Sequence, residues 1–468
     1  MGYVAVRGGQ EAIEESLKLL EWERVRPERC VDIESIQAAF PDLIDQIMGE
    51  SSLYAPELAA LALKQAQGSP EEAVFLLRAF RSTLERPYVS RVVESESMKV
   101  DRRISAAFKD VPGGQVLGAT RDYTHRLLDF DLREEDGDSL HEARKRLKRE
   151  WRRQAIAEAL AKSDGSAASS GGGASVGTAG APGGASAATM PSGVGKSGGA
   201  SAVASGATAA ADALGRLPKV ADYLREQGLL VEHERNDEEP IDVTMEPLVF
   251  PAPRSARLQT LARGMTQAVS ALGYAAIRGF GPAHPTVAEL RHGTIEVVID
   301  HPLGSSGEGD AYCVGEIPVT EVESLFEVET ADAEGEKVLS FDLGYGMVMG
   351  RAETKAIAMS VLDNCLEQGD KRFPTQDEEF VLYHVDGIEA TGFISHLKLP
   401  HYVTFQSKLS AVRKTRDAEE DGGSDAECAS LCIENEPSGA DASADSSINA
   451  LDGAPVANAD DLTDFDTE

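Results

Sequence analysis

The stretch Thr294-Ile-Glu-Val-Val-Ile-Asp300 places Ile295, Val297 and Ile299 at every second position. That alternation is the pattern of a strand with one face buried. Working outward, residues 312–320 read as a second strand, and residues 344–350 as a strand or a tight loop. Helical spacing of apolar residues surrounds them at 217–227, 254–272 and 353–366, and 380–384 is a short apolar segment. Strand and helix do not alternate regularly, so a parallel βαβ sheet is not expected. The fold class is α+β, with mixed helices and short sheets.

The first part of the chain reads differently. Residues 3–6 suggest a short strand ended by Gly8-Gly9, then an amphipathic helix carrying Ala12, Ile13, Leu17 and Leu20. Residues 56–67 and 70–85 each open with proline, which costs nothing at a helix start. Ser69 is placed to cap the second of these. Residues 139–162 form a densely charged helix, with Ser139 and Glu142 at capping-box spacing, leading out of the domain into solvent. Residues 165–210 hold thirteen glycines and a single charged residue, Lys196, which is the composition of a flexible linker. Four regions follow: a mostly helical region at 1–162, a linker at 163–212, an α+β region at 213–416, and an acidic tail at 417–468 expected to be disordered.

The 468 residues carry 79 acidic and 45 basic side chains, for a net charge of −34. Such a chain repels phosphate backbones, which disfavours nucleic-acid binding. Residues 417–468 contribute 16 acids and no Lys or Arg, leaving about −18 on the rest. Acidity spread over body and tail fits a surface adapted to high salt; the alternative is an ordinary surface with an acidic tail. No apolar run is long enough to span a bilayer, and the first residues have neither a leader pattern nor a myristoylation site, so a cytoplasmic protein with no membrane association is expected. Cys30, Cys313, Cys365, Cys428 and Cys432 are too scattered for a disulfide framework or for the three close thiolates of a radical iron–sulfur centre.

Several short motifs bear on chemistry. Pro191-Ser-Gly-Val-Gly-Lys-Ser197 imitates a phosphate loop, but Met190 stands where its first glycine belongs and no strand precedes it. Gly344-Tyr-Gly-Met-Val-Met-Gly350 has one residue too many for a dinucleotide fingerprint, which favours close backbone packing over a phosphate cradle. Arg102, Arg103 and Lys109 stand near the Gly113-Gly114 turn, and could hold a phosphate or be an ordinary turn whose arginines pair local acids. His125, in Tyr123-Thr-His-Arg126, is a candidate for proton transfer or a structural histidine, and His284 lies in a similar turn. The densest group is Asp377-Glu378-Glu379, then His384, then His396 and His401 five residues apart with Pro400 between them. A bent segment can turn two imidazoles onto one metal, and the carboxylates could be ligands or acid/base groups.

These blocks together resemble the I-subunit family of the carbon–phosphorus lyase core complex. The resemblance runs through Tyr3–Gly9, Glu57–Ala66, Phe75–Arg78, Arg102–Ser105, Lys109–Gln115, Asp122–Phe130, Gly344–Gly346, Gln376–Leu382 and Ser395–Tyr402, and omits the linker and the tail. It implies a transferase component of the ribose 1-methylphosphonate 5-triphosphate synthase type. With partner subunits it would move methylphosphonate onto C1′ of the ribose of ATP, bound with Mg²⁺, and displace adenine. Alone it would show nucleosidase activity. The implied partners are subunits G, H and J, the ATP-binding-cassette-type subunits K and L, and a second copy of the chain. The family's histidine pair falls on His396 and His401 and implies a shared zinc site. Asp377, Glu378, Glu379 and His125 are then the catalytic candidates, with Arg102, Arg103, Lys109, Gly113 and Gly114 on the triphosphate. The rival reading is a non-catalytic scaffold in the same complex.

Overall fold

The computed structural model describes residues 9–111, 113–167, 217–233, 238–279, 284–304, 311–331, 335–399 and 401–420. The expected strand at 3–6, the phosphate-loop imitation, nearly all of the linker and most of the acidic tail lie outside them. The described residues form an α+β fold around one four-stranded antiparallel sheet in the order β1 (Lys99–Ile104), β2 (Thr286–Asp300), β3 (Ala311–Ala331) and β4 (Lys337–Met349).

The strands are longer than the sequence suggested. Strand β2 begins eight residues before Thr294, and β3 runs eleven past Thr320. Its extension, Glu321-Val-Glu-Ser-Leu-Phe326, places acids on one side, where solvent would be the usual expectation; here both acids are buried. Residues 344–349 resolve as strand rather than loop, at the end of β4.

One face of the sheet carries Leu290, Val322 and Val348 and packs against helix α10 (Glu353–Gln368) through Met359 and Leu362. Burying each such side chain contributes ~1.5–3 kcal/mol. The approach is close because β4 presents Gly344 and Gly346 to the helix. A methyl group on Gly344 would stand 2.1 Å from the Ser360 carbonyl oxygen, and one on Gly346 would stand 2.2 Å from that of Ala356. The glycine pair therefore works as close backbone packing.

The helices before the sheet are α1 (Gly9–Val25), α2 (Ile33–Ala39), α3 (Pro41–Ser51), α4 (Pro56–Gln65), α5 (Pro70–Ser82) and α6 (Gly137–Ala167). Helices α2 to α5 share a small core of Ile47, Met48, Ala59, Ala60, Ala73 and Val74, on which Met349 also packs. Ser69 caps α5 by accepting from the Glu72 N–H at 3.3 Å, as its position suggests. Helix α1 forms as expected, but Ile13, Leu17 and Leu20 stay exposed. The expected cap of α6 is displaced by three residues: Asp136 and Ser139 each accept from the other's backbone N–H, at 2.8 and 2.9 Å, so the helix starts at Gly137.

Beyond the linker come α7 (Val220–Glu226), α8 (Arg254–Arg263), α9 (Thr266–Arg278), α11 (Glu378–His384) and α12 (Gly387–His396). Residues 254–272 do not form one helix. The break at Gly264 is held from outside: Met265 N–H donates to the Val385 carbonyl at 2.7 Å, and the buried Glu50 carboxylate accepts from Thr266 N–H at 2.8 Å. Residues 400 onward form a separate unit, whose described part is helix α13 (Tyr402–Glu420), opened by His401 through its carbonyl to Phe405 N–H at 2.9 Å. None of the helices among the described residues is long and apolar enough to cross a membrane.

Gly346→Ala should lower the urea midpoint of unfolding by the equivalent of about 1–3 kcal/mol with little change in slope, because the added methyl overpacks the α10 contact. An unchanged midpoint would show that the helix can back away freely.

Candidate functional site

On the face of the sheet away from α10, alternation turns charged residues inward. Arg103 on β1, Glu289 and Arg291 on β2, and Glu321 and Glu323 on β3 are all buried. Lys219, at the start of α7, reaches the same layer and is also buried. Its Nζ donates to Glu321 Oε1 at 3.0 Å, to Glu323 Oε1 at 2.9 Å and to Ser95 Oγ at 2.9 Å. Arg291 forks onto Glu321 Oε2, and Arg103 Nε donates to Glu289 Oε1 at 2.6 Å. The second Glu289 oxygen accepts from Val220 N–H at 2.9 Å, so the network also fastens α7 to the sheet.

Tyr345 on β4 donates its hydroxyl to Glu321 Oε1 at 3.0 Å and lines a cleft of about 470 Å³ with Glu238, Glu239, Arg254 and Ser255. Arg254 is itself held by Asp363, which lies at 0% side-chain exposure. Burial and the Glu321 carboxylate push the Tyr345 phenol well above its ordinary value. Burial pushes the Glu323 carboxyl up, and one of its oxygens has no hydrogen-bond partner. Burial would also raise Glu321, but Arg291 and Lys219 outweigh it and hold that carboxyl below the usual range.

The residues singled out from sequence fall in several places. Arg102 is buried; its guanidinium pairs Glu353 at 2.6 Å and Asp122 at 2.7 Å and donates to the Leu117 carbonyl. Arg103 belongs to the network above and also donates to the Pro218 carbonyl at 2.8 Å. Lys109, Gly113 and Gly114 are exposed, the two glycines at φ +84° and +78°. Asp377 caps α11 by accepting from Phe380 N–H at 3.1 Å, and Glu378 accepts from Ala252 N–H at 2.6 Å. Glu379 and His125 are exposed, and no hydrogen bond or ion pair among the described residues joins His125 to the three carboxylates. His384 stacks on Phe380 at 4.2 Å between ring centroids.

His396, in the last turn of α12, bonds through Nδ1 to the Phe393 carbonyl. A carbonyl only accepts, so Nδ1 carries a proton and Nε2 is the nitrogen through which the ring would coordinate a metal. His401 is exposed in the separate C-terminal unit. Among the described residues no three His, Cys, Asp or Glu side chains come together as a metal site.

The model of the family described as bacterial phosphonate metabolism protein (PhnI) matches residues 2–419. The chain belongs to this family. Two curated PhnI relatives carry the name alpha-D-ribose 1-methylphosphonate 5-triphosphate synthase subunit. The one from Escherichia coli (strain K12) is 37% identical over 429 residues, which is 90% of this chain and 100% of the relative. The one from Rhizobium meliloti (strain 1021) is 36% identical over 435 residues, covering 90% of this chain and 98% of the relative.

Sequence reasoning passed over Glu289, Arg291, Glu321, Glu323, Lys219 and Tyr345. A signal was available: Glu289-Leu-Arg291 and Glu321-Val-Glu323 both alternate charge with an apolar residue, and the register sets Arg291 opposite Glu321. It also passed over His292, a buried imidazole. Thr320 Oγ donates to the Gly350 carbonyl at 2.7 Å and so accepts from His292 Nδ1 at 3.1 Å. The lone pair on Nε2 then faces Asp101 Oδ1 at 4.0 Å, an oxygen with no hydrogen-bond partner, while burial lowers the imidazole's affinity for a second proton.

Glu321→Gln should destabilise the protein by about 3 kcal/mol at neutral pH, since it leaves Arg291 and Lys219 buried with one carboxylate fewer. A carboxyl held low in the folded state stabilises above its unfolded value and stops doing so as pH falls through the folded one. The gap between wild type and variant should therefore narrow as pH falls below 4.5, the ordinary glutamate value. Urea unfolding across an acid pH series measures this; a gap that stays constant would show that Glu321 does not act through its charge.

Proposed function

We propose that this chain is the transferase component of a carbon–phosphorus lyase complex. With partner subunits of the G, H, J, K and L types, and a second copy of itself, it transfers methylphosphonate to C1′ of the ribose of Mg²⁺-bound ATP and displaces adenine. The observation that carries this reading is the match over nearly the full length of relatives named as subunits of that synthase. Cleavage of the glycosidic bond develops positive charge on the ribose and negative charge on the purine, so the reaction calls for a carboxylate and an acid. Asp377, Glu378, Glu379 and His125 are the groups proposed for those roles, with Lys109 and the backbone of Gly113-Gly114 toward the triphosphate. Without partners the same chemistry, with water as acceptor, gives nucleosidase activity.

The scaffold reading draws on one observation: Asp377 and Glu378 are spent on a helix cap and on Ala252 N–H, and no hydrogen bond or ion pair among the described residues joins His125 to them. Product analysis separates the two readings. ATP and methylphosphonate should yield ribose 1-methylphosphonate 5-triphosphate, seen by phosphorus NMR, only with the other transfer subunits present. Asp377→Asn with Glu379→Gln should lower the rate at least ~100-fold. Unchanged rates in those variants would favour the scaffold.

A zinc ion shared by His396 and His401 is part of the same proposal. His396 would coordinate it through Nε2, and zinc there would supply a Lewis-acidic centre. Two imidazoles leave positions for water, a carboxylate or a partner subunit. Replacing both with alanine should remove zinc from the assembled complex, by elemental analysis, and leave assembly intact, because an open site contributes little folding energy. Full zinc occupancy in the double variant would return both histidines to packing.

A further inference from the structure

The described residues include a second group of cations, where α5 meets α3 and α8. Arg78 forks onto Asp386 at 2.9 and 3.0 Å and donates to the Glu50 carbonyl at 3.0 Å and the Arg263 carbonyl at 3.2 Å. Arg81 donates to the Ser51 carbonyl at 2.8 Å, and Arg263 to the Val243 carbonyl at 2.8 Å. Arg86 pairs Asp242 at 2.7 Å, one residue from Val243. The buried Lys355 donates to the Ala262 carbonyl at 2.7 Å and feels both Arg78 and Glu50.

The charges do not balance. Arg78, Arg81, Arg86, Arg263 and Lys355 face Asp242, Asp386 and Glu50. Arg81 and Arg263 have backbone carbonyls as partners and no carboxylate, and Arg263 Nε is buried with no hydrogen-bond partner. Both guanidinium groups are partly buried, where mutual repulsion is poorly screened. Burial together with Arg78 and Arg81 brings Arg263 down to about 10. Such a surplus is out of place in a chain of net charge −34, which has carboxylates to spare. Carbonyls at the ends of α3 and α8 offset part of it, but a helix terminus supplies only about half a charge.

We infer that Arg81 and Arg263, the two arginines of this group without a carboxylate partner, form an oxyanion site for a phosphoryl or phosphonyl group. Tetrahedral oxyanions match forked guanidinium donors and would take up the idle Arg263 Nε–H. The inference deepens the transferase reading above, whose substrates both carry such groups. It locates one of them away from Arg102 and Arg103, whose donors are already spent inside the protein.

The test is binding to the full chain in chloride buffer, followed by thermal unfolding and calorimetry with ATP, inorganic tripolyphosphate and methylphosphonate. Stabilisation by ATP and tripolyphosphate assigns the site to the triphosphate; stabilisation by methylphosphonate alone assigns it to the phosphonate. In either case Arg263→Gln and Arg81→Gln should each weaken binding at least about tenfold. The variants should also melt no lower than wild type in the absence of oxyanion, because each removes an uncompensated charge. A structural role predicts the opposite: lower melting without ligand and an unchanged response to it. That result, or no response in wild type, overturns the inference. Binding that survives while partner-dependent synthesis is absent would overturn the transferase reading and leave the site standing.

Discussion

Helix α10 lies against β4 at backbone-contact distance, and the rest of the molecule is arranged around that approach. Gly344 and Gly346 remove the side chains that would hold helix and sheet apart, and the carbonyls of Ala356 and Ser360 occupy the space. Once the helix is that low, Val322 and Phe326 reach the apolar side chains above them, and Ser324 Oγ meets Ser360 Oγ at 2.7 Å. The same approach brings Glu353, in the first turn of α10, onto Arg102, tying the helix start to β1 at the opposite sheet edge. The helix thus spans the sheet, pinned by close packing at one edge and by an ion pair at the other.

Strand periodicity then decides what lies beneath. With Val322 and Ser324 committed to α10, Glu321 and Glu323 must point to the other face, and register sets Arg291 opposite Glu321. Burying so many charges is justified only when each finds partners, since a carboxylate alone in that layer would cost several kcal/mol. The layer is nearly balanced by Arg103, Arg291 and Lys219. Lys219 comes from beyond the linker, so the network joins α7 to strands from both parts of the chain. It specifies how the parts meet more than it adds to stability.

Much of this was legible from sequence, and the failures have physical causes. The helices that open with proline and the cap at Ser69 depend on local chemistry, and they were read correctly. The Gly-Tyr-Gly segment was rightly assigned to close packing, because no βαβ unit framed it. The break at Gly264 was invisible because the capping carboxylate, Glu50, lies 216 residues away. Strand β3 was cut short because buried glutamates look like exposed ones until their partners are known. At the candidate site, residue types pointed to Arg102 and Arg103 as cations, but sequence could not reveal that Glu353, Asp122 and Glu289 had already claimed them. His292 was missed because a histidine inside a strand gives no local sign of its neighbours.

Those claimed cations also change how the net charge should be understood. Arg78, Arg102, Arg103, Arg291 and Lys219 are buried or nearly so, and each is paired with a carboxylate. Internal pairs cancel one another, so the excess of acid stands mostly on the outside, with fewer basic residues interspersed than composition suggests. Added salt acts unequally on the two populations. It screens repulsion between exposed carboxylates within about 8–10 Å, while short buried pairs are screened much less. Ionic strength therefore acts first on the exposed carboxylates and leaves the buried pairs of Arg103, Arg291 and Lys219 nearly untouched.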